Sequence, residues 1–289
     1  VARSASRWFL ALGLLGCLNA RAAGPVWAIR GAHDTVYLAG SIHLLRAADA
    51  ELPPALTRAY ADSSSLVMEI DLGTLDPHEL ATTLLAHGLL PTATSLPAVL
   101  GPARYRRVSA AAAALGLPAV ALERETPWMV GLQLTELEYA HLGFDPEQGV
   151  EQQLARRAHA DHRPTAGLEQ LSDELAIFEA LAPPAQVRFL DMVVDDLAAT
   201  DKDTHAVLDA WRGGDVRRLA ALLAREYHED PALYRALVSD RNRAWLPAIE
   251  RLLQGDENSL VVVGALHLAG SGGLLELLRK DGHPAQQLD

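Results

Sequence analysis

Cysteine is almost missing from this chain, with one residue, Cys17, among 289. That excludes a disulfide framework and any zinc site built on cysteine pairs, so size and packing must supply the stability. Clustered basic residues are missing as well. The 25 Lys and Arg stand against 37 Asp and Glu, a formal net charge of -12. A surface of that sign does not neutralise phosphates, which argues against nucleic acid as a partner and gives anionic membranes no electrostatic hold. The sequence has no glycine-rich phosphate loop, no nucleophile elbow, no repeat of solenoid length and no clean linker.

The first 22 residues read differently from the rest. Arg3 and Arg7 precede an apolar run from Trp8 to Leu18, and "ARA" at 20–22 matches a small-x-small cleavage site. These are the parts of a secretory signal peptide, too short to span a bilayer, and they place the mature protein in the periplasm or outside the cell. Cys17 lies in "LLGC", which also resembles a lipoprotein-processing box. Cleavage before Cys17 would tether the protein to a membrane by lipid, whereas cleavage after Ala22 leaves a cysteine-free soluble chain.

The remaining residues, 23–289, read as one helix-rich α/β domain. "VWAIR" (26–30) and "TVYLAG" (35–40) flank a turn of hairpin length and are expected to pair antiparallel. "SLVMEIDL" (65–72) and Leu260–Val263 are further strands, with "AVALE" (119–123) and "TAGLE" (165–169) as weaker ones. Between them the apolar spacing is helical: 102–117, a helix from Pro127, and several from Gln170 to Gln254, broken at 182–184, 212–215 and Pro231. A mixed central sheet assembled from both ends of the chain is expected, with a helical subdomain over about 102–254.

Chemistry-bearing residues gather near the strand ends. "YLAGSIHLL" (37–45) and "VVVGALHLA" (261–269) share one order: apolar strand, Gly, small residue, aliphatic, His, Leu. With 21 Gly and 11 His, about 0.8 Gly-x-x-His tetrads are expected by chance, so the spacing means little without the strand that precedes each one. Ligands of open α/β sheets sit beyond the carboxyl ends of the strands, where glycine permits close approach. His43 and His267 would face each other there if their strands are parallel, with Gly40, Ser41 and Gly264 lining the substrate. Glu69, an acid within an apolar run, needs a partner because an unpaired buried carboxylate is costly. Arg241 and Asn242 lie together on a predicted helix. "AHADH" (158–162) and the acids of 191–203 suit solvated helix faces.

Taken together, "GSIH", the "EID" strand, "GLEQ" (167–170), "DRN" (240–242), "GALH" and the closing "GLLELLRKDGH" resemble the TraB/GumN family, which includes pheromone-shutdown and Tiki-type proteins. The resemblance spans nearly all of residues 23–289. It implies a fold related to erythromycin esterase-like and ChaN-like proteins, and a hydrolase site of His, Glu, Arg and His in chain order. Those roles fall on His43, Glu69, Arg241 and His267. The residues after "GLEQ" depart from the family pattern, which makes Glu169 a cap for the next helix rather than a site residue.

The expected activity is hydrolysis of a peptide or ester bond in a peptide or small-molecule substrate. Two versions stay open. In one, His43, His267 and Glu69 hold a divalent ion (Mn, Co or Zn) that activates water, Arg241 stabilises the oxyanion and Asn242 orients substrate. In the other, His43 oriented by Glu69 deprotonates water without metal, while His267 and Arg241 serve the leaving group and the oxyanion. The rival from another class is a non-catalytic envelope or exopolysaccharide-associated protein that binds in the same crevice.

Overall fold

The computed structural model describes residues 24–289 apart from 75, 198–199 and 227–229. The expected signal peptide and Cys17 lie outside the described residues. Six strands form one sheet: β1 (Val26–Arg30), β2 (Thr35–Ser41), β3 (Ser65–Met68), β4 (Thr165–Gly167), β5 (Ser259–Gly264) and β6 (Ala285–Gln287). Their order is β4-β3-β5-β2-β1-β6. The hairpin β1–β2 is antiparallel, as is β1–β6, while β2, β5, β3 and β4 run parallel. The fold is therefore α/β and helix-rich, with a mixed sheet built from both ends of the chain.

Side-chain alternation explains the two faces of the sheet. Leu66, Met68, Leu260 and Val262 pack with Tyr60, Leu154 and Trp211 on one side. Val67, Val261, Val263 and Leu38 pack with Trp245 and Ile249 on the other. Strand β5 is buried over all six residues, which is why it reads as an unbroken aliphatic run instead of an alternating one. A third core, with Leu100, Trp128, Leu134, Phe178 and Leu190, fills the space among the helices Leu96–Ala114, Pro127–His141, Leu171–Ala180 and Pro183–Asp196.

Four local expectations need correction. "AVALE" is a 3-10 turn, Ala119–Leu122, entered from Pro118, and Val120 is left 69% exposed with no strand to pair. Strand β3 stops at Met68, so Glu69 lies just beyond the strand end and not within it. The weak strand at 165–169 is present only over Thr165–Gly167. The helix expected from Pro102 has an extra turn in front of it, Leu96 to Leu100, set off by Gly101 at a φ of 72°.

Candidate functional site

The two Gly-x-x-His segments leave the sheet side by side. Strands β2 and β5 are parallel neighbours with Ser41 opposite Gly264, and β3 flanks β5 on its other side. The glycines act through close approach. A Cβ on Gly40 would lie 3.2 Å from the Ala265 Cα, so the bare residue lets the short helix Ala265–Leu268 lie against β2. A Cβ on Gly264 would lie 3.1 Å from His43 Nε2 and 3.3 Å from Glu69 Oε1, which places both of those atoms against the end of β5.

Arg241 organises the far side of the site. It lies on the helix Asp240–Leu252, directly after a π-helical turn over Arg235–Ser239, and such wide turns recur at functional sites. Its Nη2 donates to Glu69 Oε2 at 2.7 Å and to Glu169 Oε1 at 2.6 Å, and its Nε donates to Glu169 at 3.0 Å. Nη1 donates to the Leu237 carbonyl at 3.2 Å and faces His267 Nε2 at 3.3 Å. A guanidinium has five N–H donors, so all five are committed inside the protein and none is free for an oxyanion. Glu169 also accepts from Trp245 Nε1 at 2.9 Å. It is thus a member of this network, and the helix after it is capped by Gln170 and Asp173 instead. Glu169 reaches Arg241 because residues 168–169 continue alongside 68–69, with the Glu169 N–H donating to the Glu69 carbonyl at 2.9 Å.

The hydrogen bonds of His267 assign its tautomer. Asn242 Nδ2 donates to the carbonyls of His267 and Gly272, at 3.1 and 2.9 Å. The amide oxygen therefore faces His267 Nδ1, at 2.7 Å, and accepts a hydrogen bond from the Nδ1–H. Nε2 then carries the lone pair that Arg241 Nη1 meets. Burial first, and then the charges of Arg241 and His43, push this imidazole down to about 4 against the pull of Glu69, so it is neutral at neutral pH. Burial pushes the Glu69 carboxyl up, but His267, His43, Arg241 and the Gly264 N–H at 2.6 Å together bring it down to about 2. At neutral pH, where His267 is neutral, Arg241 and His43 are the charges that remain beside Glu69.

His43 is oriented by Glu151 and not by Glu69. Its Nδ1 lies 2.7 Å from Glu151 Oε1, which also accepts from the Ser41 hydroxyl. The helix Val150–Ala160 starts beneath His43, where the Val150 N–H donates to the Ile42 carbonyl at 3.1 Å and Gly149 leaves room for the His43 carbonyl. The Glu151 charge, more than its hydrogen bond, lifts His43 to about 10 in spite of partial desolvation. With 64% of its side chain exposed, His43 is an imidazolium whose Nε2–H lies against the end of β5, on the side of Glu69.

A cavity of about 210 Å³ opens at this point, lined by His43, Met68, Glu69, Ile70, Leu72, Glu151 and Glu174. The four residues expected to act together, His43, Glu69, Arg241 and His267, do share one cluster of contacts, but only His43 and Glu69 reach the cavity wall. Gly40 faces the Ala265–Leu268 helix, and Ser41 and Asn242 are 1% and 0% exposed, so these three support the site from behind instead of lining substrate. The donor set does not fit the three-ligand metal centre expected of His43, His267 and Glu69. His43 Nε2 and Glu69 Oε1 converge, but His267 Nε2 faces a guanidinium, and catalytic zinc sites hold three protein ligands.

Sequence reasoning missed Glu151 and Glu174. A signal for Glu151 existed: it shares a face with Leu154, Ala155 and Ala158, so it is an acid on the apolar stripe of its helix. Arg241 and Asn242 carry the same mark, in line with Val238, Trp245 and Ile249.

The chain is 25% identical over 243 residues to the protein YbaP of Escherichia coli and, at the same identity, to that of Shigella flexneri, covering 84% of this chain and 87% of each relative. A Treponema pallidum protein is 23% identical over 287 residues, 94% of this chain and 85% of its own length. Their names state no activity. No solved structure matches the chain significantly. Residues 25–287 match the profile of the TraB/PrgY/gumN family. The chain therefore belongs to that family.

Proposed function

We propose that the protein is a hydrolase acting on a peptide or ester bond, with His43 and Glu69 as the groups that touch the reaction. One observation carries the reading: His43 Nε2 and Glu69 Oε1 both lie against Gly264, which comes from the other end of the chain, and both residues line one cavity. A reacting atom near both an acid and a base is the geometry that acyl transfer to water needs.

The environments of the two groups are pushed apart, which assigns their roles. Glu69 is ionised and holds the attacking water. His43 is protonated, and its Nε2–H faces the carbonyl oxygen and then the leaving group. Water forms the new C–O bond as its proton passes to Glu69. The bond to the leaving group breaks as His43 Nε2 delivers a proton to it, and return of the proton from Glu69 to His43 resets the site. A carboxyl held near 2 is a weak base, so stabilisation of the oxyanion by the His43 charge supplies most of the rate enhancement. Arg241 and His267 position Glu69; neither is assigned contact with substrate.

The N-terminal basic lead, apolar run and "ARA" site support activity outside the cytoplasm, in the periplasm or the medium. The test is product release from a panel of short peptides and aryl esters, assayed after exhaustive treatment with a chelator. The account expects turnover that survives the chelator and disappears in Glu69→Gln. Loss of turnover on chelation, restored by Mn, Co or Zn, would replace it with the metal version. Absence of turnover on the whole panel would favour a binding role.

A further inference from the structure

The charges around the cavity do not balance. Glu69, Glu151, Glu169 and Glu174 face one guanidinium, Arg241, and one imidazole that can be charged, His43. With all four ionised and His43 protonated, two negative charges would be left over, and burial, with the charges of Glu69 and Glu169, raises the Glu174 carboxyl above its ordinary value. Glu169 and Glu69 are held by Arg241, and Glu151 Oε1 by His43 and Ser41. Glu174 is different. Among the described residues the cation within reach of it is Arg241 Nη2, at 4.0 Å, whose donors are already committed. A second observation points the same way: Glu151 is 7% exposed, lines the cavity, and its Oε2 has no hydrogen-bond partner. Uncompensated carboxylates that are largely withdrawn from water are costly, and a bound cation offsets that cost.

The walls define the shape of that cation. Met68, Ile70 and Leu72 line the same cavity as the acids, giving an apolar flank that ends in negative charge. A lysine or arginine side chain has the matching form, an aliphatic stem with a cationic head. At about 210 Å³ the space is below the usual range for a drug-sized ligand and suits one side chain.

We propose that Glu174 is a specificity-determining residue, which with Glu151 selects a substrate carrying a basic side chain beside the bond to be cleaved. This rests on the hydrolase reading for its meaning, but its test needs no turnover. Wild-type protein and Glu174→Gln are titrated calorimetrically with Nα-acetyl-L-argininamide and with Nα-acetyl-L-citrullinamide, a neutral probe of nearly the same shape. The wild type is expected to bind the arginine probe about tenfold or more tightly than the citrulline probe, as hydrogen bonds to a charged group imply. Glu174→Gln should lose that preference and Glu174→Asp, which keeps the charge, should retain part of it. Both variants change a side chain that is 32% exposed, and matching melting curves establish that they fold. Equal binding of the two probes by the wild type, a preference that persists in Glu174→Gln, or binding of MnCl2 with none of the arginine probe would overturn the proposal. Selective binding without hydrolysis of any peptide or ester would instead defeat the hydrolase reading and leave Glu174 and Glu151 as a binding site for a basic side chain, with no bond to be cleaved beside it.

Discussion

His43 Nδ1 sits 2.7 Å from Glu151 Oε1, an exposed imidazole on a buried carboxylate. The pair fixes two things at once. It turns Nε2 toward the cavity, and it keeps the ring protonated far above the ordinary imidazole value of about 6.5.

Removal of the Glu151 charge should therefore move the alkaline side of the rate profile. In the wild type, kcat/KM holds up to the region of pH 10, where His43 loses its proton. In Glu151→Gln the fall should begin near the ordinary imidazole value, lowering kcat/KM at pH 8 roughly tenfold or more while pH 5.5 restores most of it. A purely structural role for Glu151 would lower the rate equally at both pH values.

Arg241 is the residue on which the site's integrity rests. Its removal leaves Glu69 and Glu169 buried without their cation, a loss of about 3–5 kcal/mol in unfolding free energy. Urea unfolding of Arg241→Ala is expected to show that loss. Arg241→Lys should recover little of it, because one ammonium cannot reproduce the fork that reaches both carboxylates, Leu237 and His267. A change below 1 kcal/mol in the alanine variant would remove the clamp from the account.

Gly264→Ala isolates the close approach at the end of β5. Gly264 has φ -50° and ψ 138°, which alanine adopts without strain, so the effect is the added methyl alone. That methyl would press on His43 Nε2 and Glu69 Oε1 at 3.1 and 3.3 Å. Turnover should fall by an order of magnitude or more with a melting temperature within a few degrees of wild type. Retained turnover would show that the two groups need not meet there.

Stability should decline on the acid side because of His267. Its folded value of about 4 lies below the ordinary 6.5, so the folded state resists a proton that the unfolded state takes up. The full contribution, on the order of 3 kcal/mol, is present above about pH 6.5 and is lost as the pH falls toward 4. Glu69 adds a second loss below its ordinary carboxylate range, ending near pH 2. Unfolding free energies across this range should show a shallower slope in His267→Gln; an identical slope would contradict the assignment.

The sheet and the meeting of the two histidine segments were legible in the sequence because both depend on local patterns, an aliphatic run closed by glycine. Strand β5 announced itself through unbroken burial, and the hairpin through its turn. The partners of those histidines were not legible. Glu151, Glu169 and Glu174 arrive from helices and an edge strand whose placement is set by long-range packing, and a single acid on an amphipathic helix looks like a solvated one until its stripe is counted. The surroundings of Arg241 and Ser41 are hidden from the sequence for a related reason. Residue type suggested an oxyanion binder and a substrate contact, whereas hydrogen-bond saturation makes Arg241 a clamp on Glu69 and His267, and makes Ser41 a support for Glu151.

The most direct measurement is kcat/KM for the best peptide or ester of the panel in wild type, His43→Gln and Glu69→Gln, each checked for a native melting curve. The account predicts losses of about 100-fold or more in each variant and a double variant little worse than either single one, as for groups that act in the same step. Turnover within threefold of wild type in either folded variant would contradict it.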